Sequence, residues 1–90
     1  MNFNNIKSKL DNLGAIQSIT ISYLETTEDD DSVFDVYVNI KHNTNAKQEF
    51  ESLIVKEEIP LEEAESIAQR LTNSLGRYYK NVQYQGHELQ

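Results

Sequence analysis

Ninety residues with 15 Asp or Glu against eight Lys or Arg give a formal net charge of -7; that length allows one domain over residues 1–90 and excludes a second. With 38% hydrophobic and 26% charged residues the chain is too apolar and too regularly patterned for disorder, and its acid excess argues against direct nucleic-acid or anionic-membrane binding, since phosphates are held by cationic side chains. The absence of cysteine removes disulfides, thiolate metal sites and cysteine nucleophiles, and makes the cytoplasm the expected compartment.

The opening Met1-Asn2-Phe3-Asn4-Asn5-Ile6 lacks a basic stretch followed by an apolar run, so no signal peptide is expected. Phe3, Ile6, Leu10 and Leu13 recur at helical spacing. With Asn2 as N-cap and Gly14 as the residue after the C-cap, they predict a helix over 3–13. From Ile16 the period becomes two: Ile19, Ile21 and Tyr23 fall on one side of a strand, Ser18, Thr20 and Ser22 on the other.

The run from Glu25 to Ser32 holds five carboxylates (Glu25, Glu28, Asp29, Asp30 and Asp31) and reads as a loop longer than the tightest hairpins. Next, Phe34, Val36, Val38 and Ile40 alternate with Asp35, Tyr37, Asn39 and Lys41 in the clearest strand pattern of the chain. Asn43-Thr44-Asn45-Ala46 supplies turn chemistry, and a third strand is expected around 48–56. Its phase is ambiguous, because Phe50 and Ile54 share one face while Leu53 and Val55 share the other, a pattern that a bulge, an edge position or a second contact surface produces.

Pro60 suits a helix start, and Leu61, Ala64, Ile67, Ala68, Leu71 and Leu75 make an apolar stripe that predicts a helix over 61–75, with Gly76 at its end. Val82 and Tyr84 predict a short closing strand, and residues 86–90 a frayed tail. The fold expected is α+β, in the order α-β-β-β-α with a final β. It is an antiparallel sheet with both helices on one face and a polar face left open.

Chemistry-bearing constellations are scarce. An EF-hand loop starting at Asp29 would need an oxygen ligand at Val33 and glycine at Phe34, so the template fails and no metal is expected. Glu57, Glu58, Glu62, Glu63 and Glu65 cluster around the second helix's start, where the helix dipole favours carboxylates. Glu62 and Glu65 have no neighbouring base or nucleophile to make an acid/base pair. His42 and His87 read as exposed polar residues. Among the tyrosines, Tyr23 and Tyr84 fit core or core-edge positions, Tyr37 lies on the polar side of its strand, and at least one of Tyr78 and Tyr79 should be exposed. No catalytic residue, cofactor or enzymatic activity is expected.

Two resemblances follow from this layout. The α-β-β-β-α order resembles the double-stranded RNA-binding domain, but where that family's second helix opens with a lysine-rich phosphate-binding motif this chain has Leu61-Glu62-Glu63-Ala64-Glu65, of opposite sign. The Asn-rich opening Met1-Asn2-Phe3-Asn4-Asn5, the acidic run and the Glu-rich second helix resemble small acidic phage inhibitors of CRISPR nucleases. That resemblance implies an anti-CRISPR, DNA-mimic mechanism in which carboxylates on a rigid fold occupy a cationic groove.

The function expected is therefore that of a non-enzymatic acidic protein engaging a basic protein surface, with inhibition of a nucleic-acid-handling enzyme as the specific form the resemblance implies. Its contacts would come from Glu25, Glu28, Asp29, Asp30, Asp31, Asp35 and Tyr37. The alternative is a small cytoplasmic adaptor or structural subunit acting as a homodimer through its sheet edges or face; the chain itself is expected to be a monomer or homodimer.

Overall fold

The computed structural model describes residues 2–13, 15–28, 31–44 and 47–88. Its first helix, α1 (Phe3–Asp11), is opened by Asn2, whose side chain accepts from the Asn5 N–H at 2.9 Å. The helix ends two residues before the predicted limit because Asn12 and Leu13 turn back onto Lys9 and Leu10, each N–H donating to the carbonyl three residues earlier at 3.2 Å. Gly14, expected after the C-cap, lies outside the described residues. Ile6 and Leu10 are buried, so the predicted stripe is the face that packs.

Strands β1 (Ala15–Glu28) and β2 (Asp31–Thr44) pair antiparallel from Ala15↔Asn43 to Glu28↔Asp31. The strands thus run through most of the acidic segment, which was expected to be a long loop. Thr26, Thr27 and Val33 are β-branched and fit an extended ladder; this propensity outweighs the carboxylates' preference for turns. Positions 29 and 30 alone separate the strand ends and lie outside the described residues. The two 14-residue strands account for the molecule's 45 Å long axis, at about 3.4 Å per residue.

Strand β3 (Lys47–Ile59) pairs antiparallel with β2, and β4 (Val82–Glu88) pairs parallel with β1, giving the order β3-β2-β1-β4. The sheet is therefore mixed, its parallel member made possible by the helix α2 (Leu61–Leu75) that carries the chain across. Of the expected Asn43–Ala46 turn, Asn43 and Thr44 end β2, while Asn45 and Ala46 lie outside the described residues. The predicted frayed tail is in fact strand as far as Glu88, with Gly86 buried at φ 84. Residues 89 and 90 lie outside the described set.

The uncertain phase of β3 has a definite cause. Tyr37 pairs with Ile54 but Val36 with Lys56, so Val55 is an extra residue at a bulge and turns into the core, where it is 7% exposed. A second shift between Val36 and Phe34 brings Ile59 opposite Phe34, with Glu58 in the left-handed region at φ 55. Phe50 and Ile54 remain on the open face, paired with Lys41 and Tyr37.

One core joins the inward rows Ile19, Ile21, Tyr23 and Phe34, Val36, Val38, Ile40 to both helices. Ala64 and Ala68 are fully buried on α2, and their small side chains let the helix lie close to the sheet. Tyr79, just beyond α2, reaches back to α1: its hydroxyl donates to Asp11 Oδ1 at 2.5 Å. That bond and neighbouring Lys7 hold the Asp11 carboxyl below its usual range, while burial and the same bond push the Tyr79 phenol up to about 12. Burial pushes the Tyr23 phenol higher still, with Tyr84 and Glu65 adding to it. Tyr84, 39% exposed, sits at the core edge, and Tyr78 is the exposed member of its pair at 60%.

Two polar residues depart from expectation. His42 is buried, because it continues the inward alternation of Val36, Val38 and Ile40 by one step; its Nε2 lies 3.8 Å from Glu51 Oε1. Ser22, on the outward side of β1, is fully buried as well, accepting from Asn39 Nδ2 at 2.9 Å.

Candidate functional site

The acidic segment is an arm. The last β1 residue with a β4 partner is Leu24, and the last β2 residue with a β3 partner is Phe34. The pairs Thr26↔Val33, Thr27↔Ser32 and Glu28↔Asp31 thus form a two-stranded ribbon with no third strand on either side. From Glu25 to Phe34 the sequence contains five carboxylates and no Lys or Arg. The register sets Glu28 directly opposite Asp31.

The seven residues singled out from sequence are divided by the structure. Glu25 shares the inward face with Phe34, and its Oε2 lies 3.7 Å from His87 Nε2. His87 is not a loose tail residue: its ring stacks on Tyr23 at 5.8 Å and 9° and meets Phe34 edge-on at 5.4 Å. Glu28 and Asp31 close the described part of the arm, and Asp29 and Asp30 lie outside the described residues. Asp35 and Tyr37 belong to the opposite, open face, further along β2.

Asp35 has a structural task. Its Oδ1 accepts from the Glu58 N–H at 2.9 Å, which satisfies a backbone donor freed where β3 bulges and Glu58 turns to positive φ. Tyr37 is half-buried between Ser22 and Ile54. By alternation along β2, positions 31, 33, 35 and 37 lie on one face of the ladder and Glu25 on the other.

The open face is less polar than its sequence pattern. A hydrogen-bonded row crosses three strands, Ser52 Oγ donating to Asn39 Oδ1 at 2.7 Å and Asn39 Nδ2 to Ser22 Oγ. Beside it Phe50 is 72% and Ile54 44% exposed, with the Lys41 ammonium 6.0 Å from the Phe50 ring centre. A shallow depression of about 340 Å³ lies here, lined by Ser18, Thr20, Asn39, Lys41, Phe50 and Gln85 among others. The apolar signal was present in the sequence, in the Phe50/Ile54 spacing, and needed the bulge at Val55 to be read.

On the helix side a groove of about 530 Å³ is bounded by Phe3, Val55, Lys56, Ile67, Arg70 and Leu71, with Asn2 and Ser74 completing its lining. Lys56 is engaged at 2.7 Å with Glu63, in the first turn of α2, so part of the glutamate cluster has a local partner. Among the described residues no three His, Asp or Glu side chains are grouped to hold a metal ion, and no helix is long and apolar enough to cross a membrane. Comparison with protein-family models, with curated proteins and with solved structures found no match.

Proposed function

We propose that the chain is a non-enzymatic binding protein that presents the acidic β1–β2 arm to a basic protein surface. The observation that supports this best is the arm's makeup: five carboxylates and no Lys or Arg from Glu25 to Phe34.

The partner class the arm fits is a cationic groove of a protein, and inhibition of a nucleic-acid-handling enzyme by a phage or mobile-element protein is the role this reading favours. Opposite charges would speed the encounter, and salt would slow it. Asp35, which accepts from the Glu58 N–H, also contributes to the fold of that neighbourhood.

Capture by the immobilised protein from a lysate of its host, across a series of salt concentrations, tests the reading. A nucleic-acid-handling protein retained at low salt and released as salt rises is the expected outcome. Retention that does not change with salt contradicts it.

A further inference from the structure

The free edge of β3 is open in a way that the other sheet edge is not. Residues 47–54 are regularly paired with β2, and only Leu53 among them is even partly covered. Beyond Ile54 the bulge at Val55 and the left-handed Glu58 break the edge, as natural sheets do to block further pairing. The opposite edge, β4, has seven residues and is interrupted by a register shift and by Gly86 at φ 84. On β3 the open-face row Gln48, Phe50, Ser52 and Ile54 is uncharged, and the charges of this stretch, Lys47, Glu49 and Glu51, all lie on the inward row, where they restrict which registers a further strand can take.

We propose that β3 pairs antiparallel with β3 of a second copy, about a two-fold axis at Ser52. The register follows from charge and apolar matching. A two-fold pairing in a continuous sheet must centre on a residue, because paired side chains share a face. Centring on Glu49, Phe50 or Glu51 sets a glutamate at 49 or 51 against another glutamate. Centring on Leu53 sets Glu49 against Glu57 and Phe50 against Lys56.

Centring on Ser52 sets Phe50 against Ile54 twice over, Glu51 against Leu53 and Ser52 against itself, with no like pair. The two exposed apolar side chains then cover each other across the junction. The resulting sheet has eight strands in the order β4-β1-β2-β3-β3-β2-β1-β4, and the antiparallel junction places the two acidic arms at opposite ends, both free.

Because the chain has no cysteine, the register can be tested with a single one. Residues opposite each other in an antiparallel ladder have Cα atoms about 4.5–5.5 Å apart, within disulfide reach. The variant Ser52→Cys should therefore oxidise rapidly to a covalent dimer, whereas Gln48→Cys, eight residues from its own copy in this register, should not. Sedimentation of the unmodified protein should show a dimer, and Phe50→Asp should return it to a monomer with unchanged circular dichroism. A monomer at the highest soluble concentration, equal cross-linking of the two cysteine variants, or a dimer that Ser52→Cys does not trap would overturn the proposal. The last outcome would point to stacking of sheet faces instead.

Discussion

The β1–β2 hairpin is two regions on one ladder. Between Ile19 and Tyr23, and between Val36 and Ile40, it is flanked by β3 and β4 and covered by α2, and every inward side chain is buried. Beyond Leu24 and before Phe34 the same strands continue with neither neighbour, and carboxylates take the place of the isoleucines and valines. Backbone pairing is common to both, so the contrast isolates the side chains: one region buries apolar rows, and the other carries the acidic run.

Breaking the covered region should have the largest effect. Ile21 is fully buried at the centre of the core, and Ile21→Ala should lower the unfolding free energy by about 2–5 kcal/mol. That is much of the roughly 5–15 kcal/mol typical of a native domain, and denaturant unfolding would measure it.

A smaller effect is expected where α1 is tied to the core. Tyr79→Phe removes the hydroxyl that donates to Asp11 and should cost about 1 kcal/mol, the usual net worth of one hydrogen bond. The pH dependence has a defined sign. The Tyr79 phenol titrates higher when folded, at about 12, so its contribution is complete below the unfolded value of about 10 and is lost as pH rises through the folded one. Asp11 titrates lower when folded, so its contribution is present above about pH 4 and disappears as pH falls. Unfolding curves of wild type and Tyr79→Phe should converge at both extremes; a difference that is constant across pH contradicts this assignment.

The sequence made the covered region legible almost residue by residue. Both inward rows and the α2 stripe were visible as simple periods, and α2 spans the predicted Leu61–Leu75. What it hid were the places where a period is broken by a tertiary partner. Val55 turns inward only because β3 carries an extra residue against β2, and His42 is buried because its strand continues beyond the obvious hydrophobic run.

The parallel β4 was foreseen as a strand but not in direction, which depends on where the crossing helix delivers the chain. For the candidate site, the charge was legible and its form was not. Carboxylates suggested a loop, whereas the intervening Thr26, Thr27 and Val33 sustain an extended ribbon. Nor did residue type reveal that Asp35 would accept from the Glu58 N–H.

The smallest stability change is expected in the arm. Neutralising it with Glu25→Gln, Glu28→Gln, Asp29→Asn, Asp30→Asn and Asp31→Asn should leave unfolding within about 0.5 kcal/mol per substitution.

The same variant supplies the most direct test of the arm's proposed role. Its capture of a partner should be compared with that of a control neutralised at five acidic positions elsewhere, Glu49, Glu57, Glu58, Glu62 and Glu88. Both proteins then have equal net charge. If the arm is the contact, its neutralisation abolishes salt-sensitive capture while the control retains it; equal loss in both, or retention by the arm variant, would show that recognition does not depend on where these carboxylates are placed.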